Sequence, residues 1–234
     1  MKTGGIKTIL TLTAAGIFAV FCDQVLWPYF VEAPLFYKYK LDQNQIYVTE
    51  KQLTTIQENK ALKIAVDKIA KTVVGVSSTT AKGTVIEESG LILSSDGLVA
   101  TLSSLMPANS ATEISIEGKK TAYEVLKRDK AADLALIKVE QTNLPTSSFY
   151  PMENLVLGER IFLYGNLPSK KIVNEGVVRS IGGGMVETTI IDNAEAAGSP
   201  VFDIEGNILG LSVVAKDGRV SILSVAKIKE LSGF

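Results

Sequence analysis

Short apolar runs rich in β-branched residues follow one another from Val73 onward, separated by clusters of Gly, Asn, Asp and Ser. Runs of this length with polar turns between them predict β-strands. Since no helical periodicity intervenes, the pattern predicts an all-β domain, either a barrel or a sandwich. The predicted strands are residues 73–76, 84–86, 91–93, 98–102, 113–116, 123–126, 134–139, 161–164, 173–181, 186–191, 208–214 and 220–223.

Residues 49–71, ahead of these strands, follow a helical pattern. Leu62, Val66 and Ile69 recur at three- and four-residue spacing and would form one apolar stripe on a helix. Thr49, with a glutamine three residues later, is typical of a capping box at a helix N-terminus. We therefore predict a short amphipathic helix that packs on the domain.

The chain begins with an apolar leader. Lys2 and Lys7 lie at the start of a mostly apolar run that ends at Cys22. If the Lys7 side chain reaches back to the interface, residues 4–22 provide the roughly 17 to 25 residues that a bilayer-crossing helix needs. Lysines on this side predict a cytoplasmic N-terminus. The leader thus predicts a single-pass anchor in the cytoplasmic membrane, with the rest of the chain periplasmic or at the cell surface.

Two other interpretations of the leader stay open. A cleaved signal peptide would have a similar length, although Phe21, Asp23 and Gln24 leave no small-residue cleavage site after the run. Lipidation of Cys22 is the second, although Phe21 is a poor residue before a lipidated cysteine. All three interpretations place the folded domain outside the cytoplasm.

These patterns divide the chain into three parts. We predict an anchor or signal peptide over residues 1–27, an aromatic-rich linker over 28–48 and a folded domain over 49–234. The linker carries many tyrosine and phenylalanine side chains but little periodicity. The length of the third part suits a single all-β unit.

Composition excludes several classes of function. The formal net charge is −1 over 234 residues, so neither nucleic acid nor an acidic polymer is predicted as a partner. Cys22 is the only cysteine and cannot form an intramolecular disulfide. The chain contains no histidine, and no acidic cluster has the spacing of a calcium loop, so no metal is predicted. The glycines at 182–184 predict a hairpin turn rather than a phosphate cradle, and no cofactor is predicted.

The segment 194–200, Ala-Glu-Ala-Ala-Gly-Ser-Pro, resembles the nucleophile loop of HtrA/Deg-type serine proteases. In that family a Gly-Asn-Ser-Gly-Gly-Pro core precedes Leu-Phe-Asp and a turn into an apolar strand, and Val-Phe-Asp follows here. Aligned on this pattern, Ala197 takes the position of the nucleophilic serine. Glu195 and Ala196 replace the first glycine and the asparagine, while Gly198 is retained.

Other stretches resemble the same family in the same order. Residues 89–105 resemble the run that ends at the catalytic histidine, and the matching position is Ser104. Residues 129–139 resemble the strand that carries the triad aspartate, which is present as Asp133. Two further matches lie at residues 158–168 and 174–181.

The resemblance implies a trypsin-like fold of two six-stranded β-barrels, preceded by the transmembrane helix and the short amphipathic helix. It also implies lost catalysis, because a serine hydroxyl needs a base to take its proton and this family uses a histidine held by an aspartate. The loop that binds the oxyanion is altered as well, since Glu195 stands where glycine permits the turn. Its carboxylate is expected in solvent, although it could fill the anion-binding hollow. No peptide-binding PDZ domain is expected after the final helix.

We therefore expect an inactive protease-like module, a pseudoprotease that binds proteins as scaffold, adaptor or regulatory subunit of a membrane-associated assembly. Its partners would be the membrane, through the leader, and other proteins, with homo-oligomers among the assemblies open to it. Two alternatives remain. One is a serine hydrolase that works without histidine through Ser103, Ser104 or Ser199. The other is a permanent structural subunit of an envelope complex.

Overall fold

The computed structural model of the protein describes residues 3–26, 60–182 and 185–233. The chain divides into two compact units, residues 1–57 and 58–234. The predicted linker over 28–48, the two boundaries that enclose it and the predicted cap at Thr49 lie outside the described residues.

In the first unit, α1 (Thr3–Phe21) continues into a π-helical turn, Cys22–Leu26. The Thr11 hydroxyl donates to the Thr8 carbonyl at 2.9 Å, which satisfies a polar side chain on an apolar helix. Within the described ranges, no helix combines the length and the apolar character that crossing a membrane requires. The predicted transmembrane helix is therefore not supported.

The second unit opens with the helical residues 60–69 (α2), followed by a 3₁₀ turn, Ala70–Thr72. Ile69 is fully buried, and Leu62 and Val66 pack against the same apolar cluster. The predicted stripe thus covers part of the core of the domain.

Seven strands form the first sheet, in the order β5-β4-β1-β2-β3-β7-β6. Only Ala122 separates β5 from β6 in the chain, yet these strands lie at opposite edges of the sheet. A continuous strand there would pair with β4 on one side and β7 on the other, and would close a six-stranded barrel. The first of the two predicted barrels is therefore a half-barrel, because the strand that would close it is divided at Ala122. The strands are β1 (Val73–Thr79), β2 (Val85–Ile92), β3 (Leu98–Leu102), β4 (Ala111–Ile116), β5 (Lys119–Thr121), β6 (Tyr123–Asp129) and β7 (Leu134–Val139).

Six strands form a closed barrel, β10-β13-β12-β11-β8-β9, as predicted for the second half of the domain. After β13, Ser224 accepts a hydrogen bond from the Ala226 amide and begins the final helix, α3 (Val225–Ser232). Gly233 ends this helix with φ 80°. The strands are β8 (Arg160–Asn166), β9 (Lys171–Gly182), β10 (Met185–Ile191), β11 (Pro200–Asp203), β12 (Ile208–Val214) and β13 (Arg219–Ser224).

The largest apolar cluster lies between the first sheet and the barrel. It joins Leu91 and Leu102 of the sheet to Phe162 and Phe202 of the barrel, and side chains of α2 and α3 close it. The two phenylalanine rings stack with centroids 5.6 Å apart. The candidate site lies beside this junction.

β2 is longer than the sequence predicts. The predicted strands 84–86 and 91–93 are one strand, because Glu87 and Glu88 continue the pairing with Ser77 and Val76 of β1. Two adjacent glutamates interrupt the apolar pattern without interrupting the strand, and this places Glu88 inside the sheet.

Candidate functional site

Ser104 and Asp133, which the sequence assigns to the histidine and aspartate positions, lie in direct contact. Ser104 occupies a 3₁₀ turn, Ser103–Leu105, after β3, and Asp133 precedes β7. The Ser104 amide donates to one carboxylate oxygen of Asp133 at 2.7 Å, and the Ser104 hydroxyl donates to the other at 2.8 Å. Asp133 has φ +52°, an uncommon conformation for a residue other than glycine. Both oxygens of its carboxylate are thus occupied by Ser104.

Hydrogen bonds within the domain occupy all five backbone amides of residues 195–199. A 3₁₀ turn over Ala194–Ala196 begins at Asn193, whose side chain accepts from the Glu195 amide at 3.0 Å. An oxyanion site needs N–H groups aimed at the place where the charge develops. This loop keeps none for that purpose, because its other donors pair as Ala196 to Asn193 O (3.1 Å), Ala197 to Ala194 O (3.1 Å), Gly198 to Ser212 O (2.9 Å) and Ser199 to Ala196 O (3.2 Å).

Gly198 brings the loop against the turn that holds Ser104. Its φ is +74°, and a Cβ atom at this position would lie 2.6 Å from Leu105 Cδ1 and 2.9 Å from the Ser89 carbonyl oxygen. Ala197, next to it, packs against the apolar cluster at the junction. The three sequence positions of the triad are therefore brought to one region of the fold.

Only one of the three candidate serines is open to solvent. Ser199 is fully buried, and its hydroxyl has no hydrogen-bond partner within the described part of the chain. Ser103 is 8 % exposed. Ser104 is exposed, and its hydroxyl donates to Asp133.

Glu195 is ion-paired. Lys170, in the segment between β8 and β9, donates a hydrogen bond to its carboxylate, and both side chains are about half exposed. A pair this exposed contributes about 1 kcal/mol or less. The carboxylate therefore lies partly in solvent and is paired with a cation.

Glu88 is a candidate residue that the sequence analysis missed. Its side chain is only 7 % exposed, and within the described chain its Oε2 atom has no hydrogen-bond partner. Burial, together with the smaller effect of the negative charge of Asp133, raises the pKa of Glu88 to about 8. The group is therefore mostly protonated at neutral pH. The only signal in the sequence was a pair of glutamates between two apolar strand segments.

One edge of β12 is open next to the loop. Pairing of β12 with β11 ends at Leu211, whereas pairing with β13 continues to Val214. Ser212 then exchanges hydrogen bonds with the loop, donating to Ser199 and accepting from Gly198. Among the described strands, none pairs with residues 213–214 on this side.

Comparisons with known proteins agree with this arrangement. The model of the trypsin-like peptidase domain family matches residues 82–211, more than half of the chain. A "Probable periplasmic serine endoprotease DegP-like" of Halomonas elongata is 25% identical over 150 residues, covering 59% of this chain and 32% of that protein. A protein of the same description from Pseudomonas putida is 28% identical over 152 residues, covering 59% and 31%. These matches span about a third of the relatives' length.

A solved structure gives the same fold. The crystal structure of the serine endoprotease from Yersinia pestis superposes with a TM-score of 0.65 at 19% identity, covering 72% of this chain and 64% of that one. The trypsin-like fold expected from the sequence is thereby confirmed.

Gly198 allows the packing of the loop to be tested. We expect Gly198→Ala to destabilise the domain, because the new methyl group meets the Ser89 backbone and the Leu105 side chain as well as an unfavourable φ. Gly118→Ala is the matched control, since Gly118 has φ +77° but no atom within 4 Å of the added group. The packing contribution should make the first variant roughly 1–3 kcal/mol less stable than the second in denaturant unfolding. Equal losses would contradict the close packing of this loop.

Proposed function

We propose, from the premise that this chain belongs to the trypsin-like peptidase domain family, that its HtrA-like domain binds extended segments of partner proteins without cleaving them. It would act as a scaffold, adaptor or regulatory subunit. Assembly with other proteins or with copies of itself, as predicted from the sequence, belongs to this proposal.

The observation that carries the proposal is the hydrogen bonding of the loop at 195–199. Stabilisation of the oxyanion is commonly the largest contribution to acyl-transfer catalysis, and losing one donor lowers kcat about 10²- to 10³-fold. Here every N–H group of the loop already has an acceptor within the domain. A developing oxyanion would have to break those bonds before it could be stabilised.

The residues at the aligned nucleophile and base positions support the same conclusion. Ala197 has no hydroxyl group, and the chain has no histidine. Ser104, at the histidine position, cannot accept and return a proton in the way that an imidazole does. Asp133 instead holds Ser104 through both oxygens, which makes the pair a structural link between β3 and β7.

A relocated nucleophile is the second candidate function, and the hydrogen bond from the Ser104 hydroxyl to Asp133 is the observation that favours it. Ser104 is exposed, and a carboxylate is in place to accept its proton. Against it, the nearby loop supplies no N–H group for the intermediate. The inactive module is therefore the better-supported function.

A fluorophosphonate probe and an unfolded protein substrate separate the two candidates. We expect the purified full chain to be neither labelled nor proteolytic, because it lacks both an activated serine and free oxyanion donors. An active HtrA-type protease serves as the positive control. A variant with Ser104→His and Ala197→Ser tests whether the triad residues alone restore labelling, and we expect it to stay silent because the loop amides remain paired.

Labelling of the natural chain would contradict the proposal. If Ser104→Ala then abolished that labelling, Ser104 would be the nucleophile and the hydrolase would be the correct function.

The open edge of β12 is where we propose that the partner binds. An extended peptide can add to an unpaired strand edge through main-chain hydrogen bonds. Residues 213–214 offer such an edge beside the loop at 194–199. A permanent structural subunit, the third candidate function, would have this edge covered in its complex at all times.

Hydrogen exchange measures this binding directly. We expect a mixture of blocked hexapeptides to slow amide exchange at residues 213–214 and to be washed out again, because strand addition is reversible. The edges of the first sheet, β5 and β6, serve as internal controls and should show smaller changes. Protection that is absent, or equal at all edges, would contradict the assigned position.

We also propose that the domain acts outside the cytoplasmic membrane. Lys2 and Lys7 lie at the start of the apolar helix α1, and relatives carry the word periplasmic in their names. A basic start followed by an apolar helix is typical of export signals.

A reporter fusion tests the export. Alkaline phosphatase that is active only outside the cytoplasm is fused after Phe234, and we expect activity in the full chain. Deletion of residues 1–26 should abolish it, because the apolar helix would be the export signal. N-terminal sequencing of the exported product distinguishes a retained leader from a cleaved one. Activity that persists without the leader would contradict the proposal.

A further inference from the structure

A cavity of about 520 Å³ lies between β2 and the turn at 194–196. It adjoins the loop that corresponds to the catalytic loop of the family, but no residue of the triad positions lines it. Its walls are formed by Val85, Ile86, Glu87, Glu88, Ala194 and Glu195.

The cavity combines carboxyl groups with apolar walls. Glu195 is neutralised by Lys170, which leaves Glu87 and Glu88 as the acidic groups. Glu88 is more than nine-tenths buried, and its Oε2 atom lacks a partner in the described chain. Such an atom costs free energy until a donor reaches it. The apolar part of the wall is accessible, since Val85 exposes 56 % of its surface.

We propose that this cavity binds the lysine side chain of an extended partner segment, with the Glu88 carboxyl group accepting a hydrogen bond from the ammonium group. The methylenes of a lysine would lie against Val85, Ile86 and Ala194 while its charged end reaches the acid. The inference rests on the proposed function, since the segment that supplies the lysine is the one bound beside the loop.

Lysine fits these groups better than arginine does. A guanidinium presents a planar fork that pairs with two acceptors at once, whereas an ammonium is a compact donor. The Oε2 atom of Glu88 is fully buried, so the carboxyl group does not present both oxygens to a planar fork. A single point donor on a flexible stem therefore matches the site.

The charges around Glu88 make the binding depend on pH. β1 and β3, which flank β2 in the sheet, carry no charged side chain. Glu87 neighbours Glu88 on β2 itself. The other elements near β2 carry four charged groups, Asp133, Glu195, Arg160 and Asp203. Of these, Glu195 is paired with Lys170 and Arg160 is paired with Glu175. Asp203 is hydrogen-bonded to Asn207. The charged groups near Glu88 that have no ion-pair partner are thus negative, and they favour a cation in the cavity.

The direction of the pH dependence follows from the state of Glu88. The free protein holds this proton up to about pH 8, because burial and then Asp133 raise the pKa of Glu88. An ammonium group stabilises the carboxylate, so the bound state holds fewer protons than the free state. Raising the pH therefore favours binding until Glu88 is ionised in the free protein, while lysine itself stays charged to about pH 10.

Isothermal titration of the full chain with matched peptides tests the proposal. Blocked hexapeptides of alanine and valine carry a single lysine at each position in turn, and a second set carries norleucine, which keeps the methylenes but lacks the charge. We expect one lysine peptide to bind at least about tenfold more tightly than its norleucine partner at pH 8. Its affinity should rise between pH 6 and pH 8 by up to about tenfold per pH unit.

Two variants test whether Glu88 is the residue that causes the preference for lysine over norleucine. In Glu88→Gln, we expect the lysine and norleucine peptides to bind equally and the rise with pH to disappear. Glu124→Gln is the matched control, because Glu124 is an exposed glutamate of β6 that does not line the cavity, and it should keep the preference. The peptide comparison and the pH series on the natural chain need no variant, so they stand even if Glu88→Gln does not fold.

The outcomes separate the two proposals. If norleucine peptides bind as tightly as lysine peptides, or if folded Glu88→Gln keeps the lysine preference, the lysine site is wrong while peptide binding stands. If no peptide of either set binds, the proposed function is overturned together with the site.

Discussion

The apolar cluster between the first sheet and the barrel positions every part of the candidate site. Leu91 and Leu102 enter it from the sheet, and Phe162 and Phe202 enter it from the barrel. The turn that carries Ser104 and the loop at 194–199 are the polar rim of this cluster. Their contact is therefore a consequence of core packing, and it needs no catalytic residue to hold it. This is why a chain without histidine can still bring the three aligned positions, Ser104, Asp133 and Ala197, to one region of the fold.

The polar groups at the aligned triad positions bond to one another within the domain. In the loop, Asn193 begins a 3₁₀ turn whose amides bond to their own neighbours rather than to a ligand. At Asp133, the carboxylate holds the Ser104 turn in place of an imidazole. Both arrangements pair polar groups of the domain with one another, as the cost of unpaired polar groups favours. Among the described residues, the Glu88 Oε2 atom and the Ser199 hydroxyl are the buried side-chain atoms that remain without a partner.

Sequence reasoning succeeded where the pattern of a segment determines its structure. The observed bounds of the strands at 98–102, 134–139 and 208–214 agree with the prediction, because each is a mostly apolar run that is largely buried. The proximity of Ser104 to Asp133 followed from family resemblance alone. β5 and β11 were missed, since one is three polar residues and the other was interpreted as part of a loop. Glu88 could not be found, because its burial depends on elements distant in the chain.

Gly198 shows how a glycine in a catalytic motif can be required by packing. In a protease motif this glycine is counted with the catalytic signature, yet here its left-handed backbone and the nearby Ser89 and Leu105 atoms already exclude a side chain. The packing of the loop alone therefore requires a glycine at this position. A motif that counts this glycine reports how the loop is folded, and its presence says nothing about which reaction the loop supports.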